Sequence, residues 1–404
     1  ASGGIVSIST VPGSVANYTQ VKANGGQFGT LAAGVSGAIE LGDQSGFSYA
    51  GETLDQTGYR DFSEFTRDVA NLNWSHSVNN LSINLSFLSA AEDRKGSGAL
   101  TQTRLDSNRT DVGTRSIADI EQQLVSGSFI LQQAPTLNYT LNLSARDSDQ
   151  FVLYDYTVGS PFAAEEEVNQ QTLVNSISML RQSSQGPRAY DLGFTLQESE
   201  YTSKREYYGY GPTIRDQERR EWAVFSTYEE AVSADTRIML SYRHTDSEDK
   251  LSDSAAASDS LNAISTSLTK QNDGADYFLR LDKGFRLPTF DENNSTYTDQ
   301  YLLPQTHVSL EVGITFPTMG VSGFFTQTKN EIRPTVRDYG TYFLTTNANI
   351  EETERFGLQA YKTVNMTSQT KLHTAYSFTE AKSAEGLDKD KHLPGIPQHV
   401  VSLA

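Results

Sequence analysis

With 404 residues, the chain is long enough for two or three soluble domains or for one large barrel. Its 50 Asp and Glu against 32 Lys and Arg give a formal charge of -18, which argues against nucleic acid or an anionic surface as the main partner, because phosphate recognition needs a basic footprint. No apolar run approaches the roughly 20 residues of a membrane helix, so a helical membrane protein is excluded. A mean hydropathy of -0.48 is compatible with a membrane barrel, half of whose strand residues face water. The 20 Tyr and 19 Phe against 2 Trp and 11 Pro suit a strand-rich chain with interface aromatics. The absence of Cys fits an exported protein without disulfides as well as a cytosolic one.

The chain opens on ASGGIVSIST, a short β segment behind a Gly pair rather than a charged and then apolar signal peptide. Val11 to Ala16 read as a linker. From near Tyr18 onward the pattern predicts about eighteen strands, each of the roughly 9 to 11 residues that a tilted membrane strand requires. Short turns are expected near Gly42 to Ser45, Ser77 to Asn80, Ala134 to Thr136, Ser184 to Pro187, Ser233 to Asp235, Asn272 to Gly274, Pro317 to Gly320 and Asn365 to Gln369. Between them lie longer polar segments: Gly58 to Glu64, Arg94 to Gly113, Ser148 to Val168, Thr202 to Gln217, Asp246 to Ser260, Thr289 to Thr306, Asn330 to Thr341 and Ala381 to Lys391. Connections that are short and long by turns are the signature of an up-and-down outer-membrane barrel.

Alternation recurs strand after strand. Leu81, Ile83, Leu85 and Phe87 interleave with Ser82, Asn84 and Ser86; Ile238, Leu240 and Tyr242 with Arg237, Ser241 and Arg243; Val308, Leu310, Val312 and Ile314 with Ser309, Glu311 and Gly313. In Ala275 to Glu292, Tyr277, Leu279, Leu281, Phe285 and Leu287 share one face and Asp276, Arg280, Asp282 and Arg286 the other, with Phe278 and Lys283 breaking the pattern. A charge facing lipid near the midplane costs about 2 to 4 kcal/mol, so the ionic faces must look inward.

Gly284, Phe285, Arg286, Pro288, Thr289, Phe290, Asp291 and Glu292 resemble the GFRAPTFDEL signature of TonB-dependent outer-membrane receptors, with Leu287 in place of Ala and Asn293 and Asn294 in place of the following Leu-Tyr. Ser2 to Thr10 resembles the strand that closes the plug domain of that family. HVSLEVGI from His307, GFFTQTKNEI from Gly323, NIEETERFGLQ from Asn349 and LPGIPQHV from Leu393 resemble its barrel segments in the same order.

The resemblance implies an all-β fold: a transmembrane antiparallel up-and-down β-barrel, with about 18 of an expected 22 strands present and the plug mostly absent. Residues 1–16 would then be the end of the plug and its linker, and 17–404 the incomplete barrel. Two unpaired strand edges in lipid would leave such a piece unstable as a membrane species. The implied function is energy-coupled uptake of a scarce nutrient, most often a ferric siderophore or similar chelate, in the bacterial outer membrane. The partners would be the surrounding lipid, the chelate, and the TonB complex through an upstream plug; the alternative is a passive porin-like or adhesin barrel. No cofactor is implied.

No catalytic constellation appears, so an enzyme is not expected. His76, His244, His307, His373, His392 and His399 are scattered, with none at metal-ligand spacing, and no metal site is expected. The carboxylate pairs Asp147 with Asp149 and Asp388 with Asp390 read as solvated loop charge. In the segment Tyr201 to Asp216, Tyr207, Tyr208 and Tyr210 offer stacking faces, while Arg205 and Arg215 offer paired donors; together they are the candidate ligand contacts. The plainer reading is an aromatic belt continuing into a loop. For Arg286, Asp291 and Glu292 the structural role is preferred: closing the outer end of a strand and pairing within the wall.

Overall fold

The computed structural model describes residues 17–154, 164–183, 188–207, 211–251, 255–294, 301–338, 343–367, 370–386 and 388–404. Among the described residues, eighteen strands form one sheet. They are β1 (Tyr18–Gly25), β2 (Leu31–Glu40), β3 (Ser45–Gln56), β4 (Phe65–Val78), β5 (Leu81–Gly96), β6 (Ser116–Ala134), β7 (Leu137–Tyr154), β8 (Ala164–Gln182), β9 (Arg188–Tyr207), β10 (Thr213–Ala231), β11 (Thr236–Leu251), β12 (Ala257–Asn272), β13 (Ala275–Arg286), β14 (Gln305–Phe316), β15 (Met319–Asp338), β16 (Phe343–Asn365), β17 (Lys371–Ser383) and β18 (His399–Leu403). Two short helices, α1 (Gln102–Ser107) and α2 (Phe290–Asn294), sit in connections.

Every strand pairs antiparallel with its successor in sequence, so the topology is a meander. No registered ladder joins β1 to β18 among the described residues, and both of these strands are exposed along their whole length. Among the described residues no helix is long and apolar enough to cross a membrane.

Six of the eight expected short turns join strands at one end of the sheet; Ser184 to Pro187, and Ser368 and Gln369 of the turn expected at Asn365 to Gln369, lie outside the described residues. Between β12 and β13, Asp273 and Gly274 both take left-handed φ, 49° and 78°. That geometry matches the twist of the flanking strands and explains why Asp-Gly stands there.

Four of the eight long connections are shorter than expected, because the strands run on past the point where alternation fades. Ser148 to Val168 is largely ladder of β7 and β8, with Asp147 and Asp149 on a strand rather than in a loop, and Asn169 donating to Asp149. Thr202 to Gln217 is mostly β9 and β10, which pair up to Arg205 opposite Thr213. Asp246 to Ser260 and Asn330 to Thr341 likewise contain paired backbone. The physical reason is that a hairpin in water on both sides needs only its hydrogen-bond ladder, not an apolar face, so its sequence loses the period-two signal. At the two edges the error runs the other way: β1 has 8 residues and β18 has 5, below the expected span.

The two faces sort as the alternation predicts. On β9 the outward positions read Tyr190, Leu192, Phe194 and Leu196, then turn to Glu198, Glu200, Thr202 and Lys204 towards the long-connection end. The apolar stretch covers about 20 Å of strand, and Leu192 and Leu196 are 51% and 45% exposed, as lipid-facing residues of an isolated wall must be. The opposite face is polar and cross-linked: Ser86 to Ser126 at 2.5 Å, Arg280 to Glu311 at 3.3 Å, and Ser265 to Asp282. Outward-facing acids therefore do occur, but above the apolar band rather than within it.

Candidate functional site

The long-connection end is organised by the segment that follows β13. Gly284 lies opposite His307, and a Cβ there would come within 2.6 Å of the His307 ring. β13 ends at Arg286, and Pro288, which has no N–H to donate, is fully buried just beyond it. Thr289 and Glu292 then form a capping box: the Glu292 N–H donates to Thr289 Oγ1 at 3.2 Å, and the Thr289 N–H donates to Glu292 Oε2 at 2.8 Å. Arg286 grips the same carboxylate with two bonds, 2.7 and 3.0 Å. Burial alone would raise the Glu292 pKa, but hydrogen bonds from Arg286 and the Thr289 backbone hold it below the ordinary carboxylate value.

This cap turns Phe290 onto the inner wall. The ring stacks on Tyr201 of β9 with centroids 5.4 Å apart, and the Arg219 guanidinium of β10 lies 5.1 Å from its centroid. Arg219 forks onto Asp249 of β11 at 2.6 and 3.0 Å and also donates to the Pro288 carbonyl at 2.8 Å, while Gln217 donates to the Phe290 carbonyl at 3.2 Å. Towards the other side, Asn347 donates to the Glu292 carbonyl, and Asn349 both donates to the Leu303 carbonyl and accepts from its N–H. One connection thus braces β9 to β11 against β16.

A second ionic knot lies on β15 and β16. Glu331, 5% exposed, receives Arg355 at 2.6 and 2.7 Å, Thr353 at 2.5 Å and Arg333 at 2.8 Å. Burial pushes its pKa upward, but these four hydrogen bonds from three residues more than offset that and bring it to about 2. Arg333 also reaches the Pro394 carbonyl, which ties the β17–β18 connection to the same knot.

Residues 10 to 404 match the family described as TonB dependent receptor-like, beta-barrel. The chain belongs to that family. No curated protein matches it in sequence. Among solved structures, the copper transporter OprC superposes with a TM-score of 0.81 at 12% identity, over 98% of this chain and 65% of its own. The pyoverdine receptor FpvA of Pseudomonas aeruginosa PAO1 gives 0.78 at 12%, over 96% and 64%, and the ferric citrate transporter FecA gives 0.75 at 12%, over 95% and 62%. The chain therefore spans less than two thirds of the length of these structures. At such identities the likeness is one of fold. The TonB-dependent receptor barrel sits in the outer membrane, and its solved relatives are transporters and receptors by name.

Within this TonB-dependent receptor barrel the expected ligand residues fare unequally. Arg205 is on β9 and donates to the buried Glu166 of β8 at 2.5 Å, with the Tyr154 hydroxyl donating to the other Glu166 oxygen at 3.3 Å. Arg215 is on β10, on the same inward face as Arg205, and Tyr207 closes the β9 ladder opposite Ala164. Tyr208 and Tyr210 lie outside the described residues, as do residues 1–16, read as the end of the plug and its linker. The eight signature residues are brought together as one structural unit. Sequence reasoning missed Glu166, Arg219, Asp249, Glu331 and Arg355. Their only local signal was a charge on an inward alternating position, and their partners are 24 to 39 residues away.

Proposed function

We propose that the chain is the barrel of an outer-membrane receptor for energy-coupled, TonB-dependent uptake of a scarce nutrient, with a ferric siderophore or a similar metal chelate as the leading cargo class. The observation that carries this reading is the family match from residue 10 to residue 404. The relatives named for copper, pyoverdine and ferric citrate support metal or metal-chelate cargo. Residues 17–404 supply the wall and the outer connections, while residues 1–16 would join an upstream plug that contacts the energy-coupling complex. Tyr207, Tyr208, Tyr210 and Arg215 are the proposed cargo contacts, with Arg205 holding the wall beside them through Glu166.

The test is growth of a strain lacking the gene on single iron, copper and cofactor sources, with and without a functional TonB. One source that supports growth only when both the gene and TonB are present establishes the reading. Uptake that depends on the gene but persists without TonB replaces it with the passive porin. Replacing Tyr207, Tyr208 and Tyr210 together by Ala should weaken cargo affinity at least tenfold; unchanged affinity removes that hairpin tip from the site.

A further inference from the structure

The chain's net charge is not spread over the barrel. The strand ends and connections at the long-connection end, residues 52–68, 92–121, 146–167, 198–221, 246–259, 286–305, 329–355 and 380–392, hold 40 Asp and Glu against 22 Lys and Arg. All remaining residues hold 10 of each. The full excess of 18 negative charges therefore falls in these segments of the sequence, and the membrane-embedded and short-turn parts are neutral. Three of these acids, Asp155, Asp253 and Asp299, lie outside the described residues, and the described part of the segments holds 37 Asp and Glu against the same 22 Lys and Arg.

The most strongly held arginines at the mouth are spent on the wall rather than presented to an incoming anion. Arg205 is held by Glu166, Arg219 by Asp249, Arg286 by Glu292, and Arg355 with Arg333 by Glu331. These five guanidinium groups, each a donor that could clamp a polyanionic chelate, are already closed on carboxylates of the wall. On the outward faces of β8 and β9, Glu165, Glu167, Glu198, Glu200 and Glu206 stand against Lys204. A low-dielectric wall carrying charge of one sign focuses the potential at its opening.

We propose that this mouth is a charge filter: it concentrates neutral and net-positive cargo, such as a chelate with a free ammonium group or a metal cation on a neutral carrier, and holds off polyanionic chelates. This rests on the uptake reading for what the cargo is, but the filter itself is a property of the wall.

The two tryptophans give a direct readout. Trp222, 40% exposed, stands on the outward face at the acidic end, and Trp74 lies near the short turns. Fluorescence quenching is measured on the intact receptor in lipid nanodiscs, using Trp74→Phe and Trp222→Phe variants and two nitroxides of one size, one bearing an ammonium and one a carboxylate. At low salt the ammonium probe should quench Trp222 several-fold better than the carboxylate probe, a smaller effect than the about 10- to 1,000-fold that electrostatic focusing can reach. The ratio at Trp74 should stay near one, and the gap at Trp222 should close near 1 M salt, where the Debye length falls to about 3 Å. Equal quenching at Trp222, or preference for the carboxylate probe, overturns the filter. This holds whether or not the growth panel returns a cargo, so the two readings fail separately; a polyanionic cargo from that panel also overturns the filter while leaving uptake intact.

Discussion

Phe290, carried by the turn after β13, stacks on Tyr201 of β9 with ring centroids 5.4 Å apart, and both residues are buried, at 6% and 4% exposure. Three strands of wall, β10 to β12, separate their parent strands, so the contact is a chord across the inner face rather than a neighbour pairing. Replacing Phe290 with Ala should cost about 3 to 5 kcal/mol at this contact. The loss should be local: hydrogen exchange over residues 287–294 is expected to speed up while the ladder of β6 and β7 keeps its protection. Uniform loss of protection would show that the contact holds the whole barrel instead.

Arg219 and Asp249 make a forked pair under that ring, each about 9% exposed in its side chain. Removing one partner leaves a buried charge, so Arg219→Ala should destabilise the mouth by about 3 to 5 kcal/mol. The double variant Arg219→Met with Asp249→Leu should recover most of this, since neither charge is then stranded. Heat denaturation in detergent, followed for both variants and the parent, measures the difference.

Glu331 supplies a pH prediction. Its folded pKa, about 2, lies below the ordinary glutamate value, so its contribution is fully present above the unfolded pKa and is lost as pH falls through the folded one. The knot should therefore survive at pH 4 and open near pH 2. Glu331→Gln should abolish that low-pH step in a tryptophan-monitored acid titration and lower stability at neutral pH, where Arg355 loses its counter-charge.

Leu310 faces outward and Ser309 inward on β14, as their opposite partners Phe325 and Thr326 require. Leu310→Arg should cost about 2 to 4 kcal/mol in lipid if placed near the midplane, whereas Ser309→Arg should change stability little. Urea titration of barrel folded into liposomes separates the two, and a larger penalty at Ser309 would invert the assignment of faces.

At Gly284 the obstacle is the His307 ring, 2.6 Å from where a Cβ would sit. Gly284→Ala should lower the yield of folded receptor in the outer membrane, and adding His307→Ala should restore it. Failure of the second substitution to rescue would place the need for glycine elsewhere.

Much of the wall was legible in the residues themselves. Leu81 to Phe87, Ile238 to Arg243 and Val308 to Ile314 alternate because one side meets lipid and the other water, and period two can be read in any strand that separates such media. Asp273-Gly274 declared its turn through the left-handed φ that few other pairs adopt. Legibility ended where both sides meet water: above Leu196 the ladder of β9 continues through Glu198 to Lys204 with no apolar partner face, so the hairpin read as loop.

What a linear reading could not reach was the pairing of distant charges. Arg205 was visible as a cation, but only the assembled wall sets it on Glu166, 39 residues away, and so removes it as an open donor. The chain alone determined a strand-built wall with an oily and an ionic side, because those depend on nearest neighbours and on the solvent each face meets. Tertiary structure decided which charges cancel and which remain, because Coulomb attraction depends on distance in space, and the strand register sets that distance.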